Sequence, residues 1–431
     1  FSNAPCPPRA VDPQRPPVNE LPSTPPRWSP PPPPSGKSPP SLLAPPRTPS
    51  AAPHSALPAR HSPATRARNP RQATAIAGEQ AMDGGAAELR ETHRLTGHAD
   101  RAWSLAWNPN PGPGAGPVLA SCGGDKTVRI WKRAPDGVWD CSDVLDGVHE
   151  RTVRSCAWSP DGNLLATASF DGTTAIWEYS GGDFECVATL EGHDNEVKSV
   201  SWSQSGSLLA TCSRDKAVWI WEVQPGNEHE CVAVLQGHTQ DVKMVQWHPV
   251  LSVLVSVSYD NTIRVWADDG DDDWHCVQTL AEAGNGGHSS TVWSVSFNQK
   301  GDRMVTCSDD CTLKIWDTSA DLSQPTTGEG HESWFHLSTL SGHHGRTIFS
   351  AHWSSEDVIA SGAGDDAICL YAEEKSTMVE GPSYRLILKK EKAHDMDVNC
   401  VRWCPQDPRV LASASDDGTV KLWELWGNLL D

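Results

Sequence analysis

No stretch of this chain is apolar for long enough to cross a membrane as a helix, and no charged, apolar, small-residue leader marks it for secretion. A reducing compartment therefore fits its thiols, and a membrane partner is not expected. Phosphate-cradling glycine loops, nucleophile elbows and paired catalytic carboxylates are missing as well, which disfavours an enzyme. Basic residues are in deficit. The chain has 35 Lys and Arg against 55 Asp and Glu, a net charge of −20. The cations are scattered, so phosphate backbones would be repelled and no nucleic-acid partner is expected. Thirteen Cys are present, but none stand in a C-x-x-C pair with zinc spacing, so neither a metal nor a cofactor is expected. These absences leave protein recognition.

Residues 1–88 stand apart in composition. Pro runs such as PPPPP at 30–34, much Ser and Ala, and few large apolar residues cannot bury a core, so this leader reads as disordered. Residues 1–81 hold nine basic and three acidic residues, which leaves 26 and 52, a net charge of −26, on 82–431. The leader is Arg- and Ser-rich and poor in acids, which also fits an organelle transit peptide. The chain begins at Phe1 and its first Met is Met82, within a dozen residues of the pattern described next. Disorder, or a stretch read through from upstream of a start at Met82, is the favoured reading, with the transit peptide as the alternative.

Residues 184–222, FECVATLEGHDNEVKSVSWSQSGSLLATCSRDKAVWIWE, form the clearest copy of a unit that recurs. VKSVSW, LLATCS and AVWIWE read as strands, with SQSG and RDK as turns, so the unit is a small antiparallel sheet that cannot bury both faces alone. Its polar landmarks are His193, Thr211, Asp215 and Trp221. Anchoring on the Trp slot gives Trp131, Trp177, Trp221, Trp266, Trp316, Tyr371 and Trp423. An Asp stands six residues before every one of them, a Ser or Thr ten before, and a His further upstream. Units of about 45 residues with Gly-His and Trp-Asp/Glu landmarks are WD40 repeats, one propeller blade each.

His, Ser/Thr and Asp together resemble a hydrolase triad, but a catalytic set is needed once and this one recurs in each unit. A structural chain of hydrogen bonds from indole N–H through hydroxyl and imidazole to carboxylate is the reading adopted here, with the Tyr371 hydroxyl expected to replace the indole donor. LRETHRL, 89–95, resembles a last strand without its first three, and the seventh unit stops after three strands at LWELW, 422–426. The expected fold is therefore all-β, a seven-bladed propeller over 89–426 whose N-terminal strand closes the last blade. Loops are expected at 110–117 (NPGPGAGP), 268–273 (DDGDDD), 281–285 (AEAGN), 317–333 and 372–383. The last two are either partner-binding arms or plain loop variation. The strand WFHLSTL is expected to follow the insertion at 317–333. Cys141, Cys186, Cys231 and Cys276 fill one repeat slot and Cys122, Cys212 and Cys307 another. Equivalent slots lie on different blades and cannot converge on one ion, so most of these thiols read as small buried hydrophobes.

Two positions per blade should reach the face that carries the His loops and Asp turns. Five residues after each His stand Trp103, Arg154, Lys198, Lys243, Trp293, Phe349 and Asn399, and before the structural Asp of units 2–4 stand Phe170, Arg214 and Tyr259. A basic arc on units 2–4 thus meets aromatics on units 5, 6 and 1, the residue types enriched in binding hot spots. The alternative is unconstrained surface variation.

Runs such as LASCGGDKTVRIW (119–131), HERTVRSCAWSPDGNLLATASFDGTTAIW (149–177), LLATCSRDKAVWIWE (208–222) and SGHHGRTIFSAHW (341–353) resemble the WD40 subunit of the cytosolic iron–sulfur protein assembly targeting complex over about 90–426. The likeness departs at the leader, at AEAGN and in the 317–333 loop. The resemblance implies a non-catalytic scaffold that holds no cluster itself. Its implied partners are other targeting subunits, a hydrogenase-like iron–sulfur carrier and apo client proteins in the cytoplasm, with the nucleus left open. It also implies a functional surface Arg in the TCSRDK turn, which is Arg214 here. The alternative is a WD40 adaptor of another pathway, such as a ubiquitin-ligase substrate receptor. Such receptors often show W-D-x-R, whereas Trp316-Asp317 continues as Thr318-Ser319.

Overall fold

The computed structural model describes residues 87–270, 273–323, 333–374 and 382–427. The leader up to residue 86 and the centres of the insertions at 324–332 and 375–381 lie outside the described residues, as do 271–272 of the acidic loop.

The chain opens with β1 (Glu88–Thr96). Blade 1 follows as β2 (Ala102–Trp107), β3 (Val118–Gly123), β4 (Val128–Arg133) and β5 (Trp139–Leu145). Blade 2 is β6 (Val153–Trp158), β7 (Leu164–Ser169), β8 (Thr174–Ser180) and β9 (Asp183–Leu190). Blade 3 is β10 (Val197–Trp202), β11 (Leu208–Ser213), β12 (Val218–Gln224) and β13 (Glu228–Leu235). Blade 4 is β14 (Val242–Trp247), β15 (Val253–Ser258), β16 (Ile263–Asp268) and β17 (Trp274–Leu280). Blade 5 is β18 (Val292–Phe297), β19 (Arg303–Ser308), β20 (Leu313–Asp317) and β21 (Phe335–Leu340). Blade 6 is β22 (Ile348–Trp353), β23 (Val358–Ala363), β24 (Ile368–Glu374) and β25 (Ser383–Lys390). Blade 7 takes β26 (Val398–Trp403), β27 (Val410–Ser415) and β28 (Thr419–Trp426), with β1 as its fourth strand in the order β1-β28-β27-β26. The seven-bladed propeller with an N-terminal closing strand is therefore the fold.

Burial separates inner from outer strands. β11 is buried at five consecutive positions, because neighbouring blades cover both of its faces. β13 alternates exposed and covered residues, as an outermost strand with one wet face should. The residue after each structural Asp has positive φ: Lys126, Gly172, Lys216, Asn261, Cys311, Asp366 and Gly418. A tight turn joins the second and third strands of every blade, and five blades hold it without glycine. Cys311 sits half-buried on this turn, and of the outer-strand slot Cys141, Cys231 and Cys276 are half-buried and Cys186 is exposed, so the small buried hydrophobe expected of most of these thiols describes the slot of Cys122, Cys212 and Cys307 and not these five.

Closure rests on packing as well as pairing. β1 runs antiparallel to β28, Leu89 opposite Leu425 and Leu95 opposite Val420. Leu89 packs into the core between blades 6 and 7, and Leu95 into the core between blades 7 and 1. Each buried Leu contributes about 1.5–3 kcal/mol by removal of apolar surface from water. The segment WFHLSTL is strand only from Phe335. Trp334 is 1 % exposed, packs against Phe297 and His248, and donates its indole N–H to the Ala320 carbonyl at 2.9 Å, so it pins the long insertion to the core.

Candidate functional site

In blade 3 the Trp221 indole donates to Thr211 Oγ1 at 3.0 Å, Thr211 lies 2.9 Å from His193 Nε2, and His193 Nδ1 lies 2.7 Å from Asp215. A carboxylate only accepts, so Nδ1 carries the proton, and in a neutral ring Nε2 accepts from the hydroxyl. The backbone N–H groups of Asp194 and Ala217 also donate to Asp215. Burial alone would raise this carboxyl, but these bonds outweigh it and hold Asp215 below its ordinary range. Burial pushes His238, His288 and His394 below theirs, against the pull of their Asp partners. Gly192 before His193 is required here, since a Cβ would lie 2.2 Å from the Trp219 ring at a φ of +154°.

The same chain links Trp131 to Ser121, Trp177 to Thr167, Trp266 to Ser256, Trp316 to Thr306 and Trp423 to Ser413 at 2.8–2.9 Å. Blade 6 departs from expectation. His344 still joins Ser361 and Asp365, but the Tyr371 hydroxyl does not replace the indole donor. Ser361 and Cys369 are its polar neighbours, yet the hydroxyl is left without a hydrogen-bond partner among the described residues.

A second tryptophan set, nine residues after the His, was not anticipated from the sequence. Trp107, Trp158, Trp202 and Trp247 donate to the carbonyls of Arg402, Ala106, Ala157 and Ser201 at 3.0–3.1 Å, each on the preceding blade. These bonds stitch blade to blade, and the Trp107 bond crosses the closure. The signal was legible as Trp at a fixed offset from His in every unit except that of Phe297, although the equivalent Trp353 and Trp403 indoles find no partner among the described residues.

On the face of the Asp turns, Trp103, Arg154, Lys198, Lys243, Trp293 and Phe349 come together with Asn399 around the mouth of the axial channel. Cations lie on rings: Arg154 is 4.8 Å from the Trp103 centroid, Lys198 4.1 Å from Phe170, and Lys243 4.9 Å from Tyr259 and 4.8 Å from Trp293. Trp293 and Phe349 meet edge to face at 5.2 Å. Arg214 and Tyr259 do not line the mouth. They stand outside it on the turns, and Tyr259 is 53 % exposed.

Arg214 is not wholly free of partners. Its Nη1 lies 3.7 Å from Glu196, whose carboxylate also takes Lys198 at 2.5 Å and Arg151 at 2.8 Å. Burial would raise Glu196, but Lys198 and Arg151 lower it further, so one carboxylate faces three cations. Arg151 and Glu196 were missed because they pair across 45 residues and two blades. The slot before the structural Asp holds Asp309 and Asp416 on blades 5 and 7, so the face is basic on one side and acidic on the other. A separate cavity of about 440 Å³ lies between blades 1 and 2, lined by the 110–117 loop, Trp158 and Tyr179.

Among the described residues no group of three or more His, Cys, Asp or Glu is placed to hold a metal ion. Cys141, Cys186, Cys231 and Cys276 each stand opposite the anchoring Trp of their own blade, on four separate blades.

Residues 89–132, 139–178, 184–222, 229–267, 274–317 and 386–424 match the WD domain, G-beta repeat family. The unit anchored by Tyr371 falls between the last two matched segments. The chain is 64 % identical over 343 residues to Protein CIA1 of Arabidopsis thaliana, covering 78 % of this chain and 97 % of that protein. It is 51 % identical to a probable cytosolic iron-sulfur protein assembly protein CIAO1 homolog of Chlamydomonas reinhardtii, covering 77 % and 97 %. It is 49 % identical to the probable cytosolic iron-sulfur protein assembly protein Ciao1 of Culex quinquefasciatus, covering 77 % and 96 %. Seven repeated blades and these likenesses together place the chain in the WD40-repeat family and, within it, among the cytosolic iron–sulfur protein assembly proteins.

Proposed function

We propose that the chain is a non-catalytic scaffold of cytosolic iron–sulfur protein assembly, which helps clusters reach cytosolic and nuclear apo-proteins by holding other proteins together. The observation that carries this reading is the rim of blades 2–4, where Arg151, Lys198 and Arg214 share the single carboxylate of Glu196 beside Phe170 and Tyr259. A chain of net charge −20 that concentrates unbalanced cations and aromatics on one rim is suited to an acidic or carboxylate-ending partner segment. Arg214 offers five donors, engaged only by a long contact, and can take a carboxylate bidentately. Targeting-complex subunits, a hydrogenase-like carrier and apo clients are the partners on this reading. Affinity capture of the chain beginning at Met82, read by mass spectrometry, tests it. Iron–sulfur assembly factors and clients are expected, and recovery of ubiquitin-ligase subunits in their place contradicts it.

A further inference from the structure

The axial channel beneath the rim shares Lys198 with it, and the channel's lining is one-sided in charge. Its upper compartment, about 40 Å³, is lined by Arg154, Lys198, Lys243 and Arg402, and its lower compartment, about 270 Å³, again by Arg402. The two share Ser155, Ser199, Met244 and Arg402, and no Asp or Glu lines either. Lys198 has Glu196 beside it, shared with Arg151 and Arg214, and Lys243 has Asp241. The two guanidiniums are not balanced. Arg154 rests on the Trp103 ring, and Arg402 reaches only the Ser350 hydroxyl at 3.4 Å and the Val401 carbonyl at 3.0 Å, so neither has a carboxylate partner among the described residues. Partly buried charge without a counter-charge is costly.

Neutral donors converge on the same space. The hydroxyls of Ser104, Ser155 and Ser199, one from each of blades 1–3, line the upper compartment and bond to no other described residue. The buried indole N–H of Trp293, which lines it too, also lacks a partner among the described residues. Lys243 is held below its ordinary range first by burial, with Asp241 opposing, and then by Lys198 and Arg154, so the cations of the mouth stand close enough to repel one another.

We propose that the channel mouth binds one tetrahedral oxyanion of the phosphate class between Arg154 and Arg402, with the serine hydroxyls of blades 1–3 as neutral donors. Donors that arrive from several blades around one axis match several acceptor oxygens on one centre, and guanidinium forks match phosphate geometry. The upper compartment has room for a few heavy atoms, which excludes a nucleotide there. The site rests on the channel's own residues and needs no partner protein, so its failure would leave the docking proposal standing, and the reverse.

Titration calorimetry with inorganic phosphate at constant ionic strength tests it, with chloride as the matched control. The unaltered chain should show saturable one-to-one heat that chloride does not reproduce. Arg154→Gln and Arg402→Gln should each weaken it by about tenfold or more, while melting in phosphate-free buffer is unchanged. If Arg402→Gln does not fold, Ser199→Ala is read in its place, with weaker phosphate binding expected and unchanged affinity counting against the site. Absence of saturable heat in the unaltered chain, equal competition by chloride, or undiminished affinity in the guanidinium variants overturns the proposal.

Discussion

Asp215 illustrates what one repeated residue does. It accepts from an imidazole and two backbone N–H groups at once, so Asp215→Ala leaves the part-buried His193 and Ala217 donors unpaired, at about 1–3 kcal/mol for each buried unsatisfied group, while water can reach the exposed Asp194 N–H. Tyr371 provides the contrast. Its hydroxyl is buried and unpartnered, so Tyr371→Phe should hold or raise the melting temperature, whereas Trp221→Phe, which leaves Thr211 without its indole donor, should lower it. A Tyr371→Phe loss as large as that of Trp221→Phe would show that the phenol is bonded after all. The same networks set an acid dependence. His238, His288 and His394 have folded values below their ordinary 6.5, so the unfolded chain binds more protons below that pH and stability should fall as pH drops under about 6.5. The structural carboxylates are depressed below 3.8, Asp365 to about 2, so their contribution is present above about pH 3.8 and is lost as pH falls further. Melting measured from pH 8 to pH 2.5 should show both declines, and a flat profile between pH 7 and 5 would contradict the neutral-imidazole assignment. The landmark residues were legible because they recur at fixed offsets. The Glu196 cluster was not, because nothing in local spacing tells Arg151 that its partner lies on the next blade.

At the scale of the element, β1 is the strand without which the ring has no seam. Its Leu89 and Leu95 enter different inter-blade cores, so its removal opens the edge of β28 and uncovers apolar surface on both sides of blade 7. A chain starting at Gly97 should be cut by protease far faster than one starting at Met82, and equal resistance would mean that closure does not depend on β1. The likeness of LRETHRL to a last strand and the missing fourth strand of unit 7 made this pairing readable in advance. The role of Trp334 was not, since an apolar residue at the head of an alternating run looks like strand, and only the packing of the preceding insertion against blades 4 and 5 shows that it is an anchor. Trp107, Trp158, Trp202 and Trp247 were equally visible as a repeat, but sequence offsets do not state which indoles reach a carbonyl of the neighbouring blade, as these four do and Trp353 and Trp403 do not.

For the whole molecule, the division of labour is between seven networks that hold the blades and one rim that is free to differ from blade to blade. Repetition made the first legible. The second is legible only as unlike residues in like slots, which marks a surface and not an occupant. The docking role of the rim is read from the affinity of an iron–sulfur assembly partner for Arg214→Glu, with melting recorded on the same protein and Asp215→Ala as the structural control. Arg214 is 54 % exposed on its side chain and its link to Glu196 is long, so its reversal should shift stability by no more than about 0.5 kcal/mol. Loss of a charge-assisted contact costs about 1.5–3 kcal/mol, which weakens binding by about tenfold to a hundredfold, and reversal should exceed that. Weakened binding with unchanged melting is the predicted result. Unchanged binding, or a melting loss as large as that of Asp215→Ala, would contradict the assignment of the rim as the docking surface.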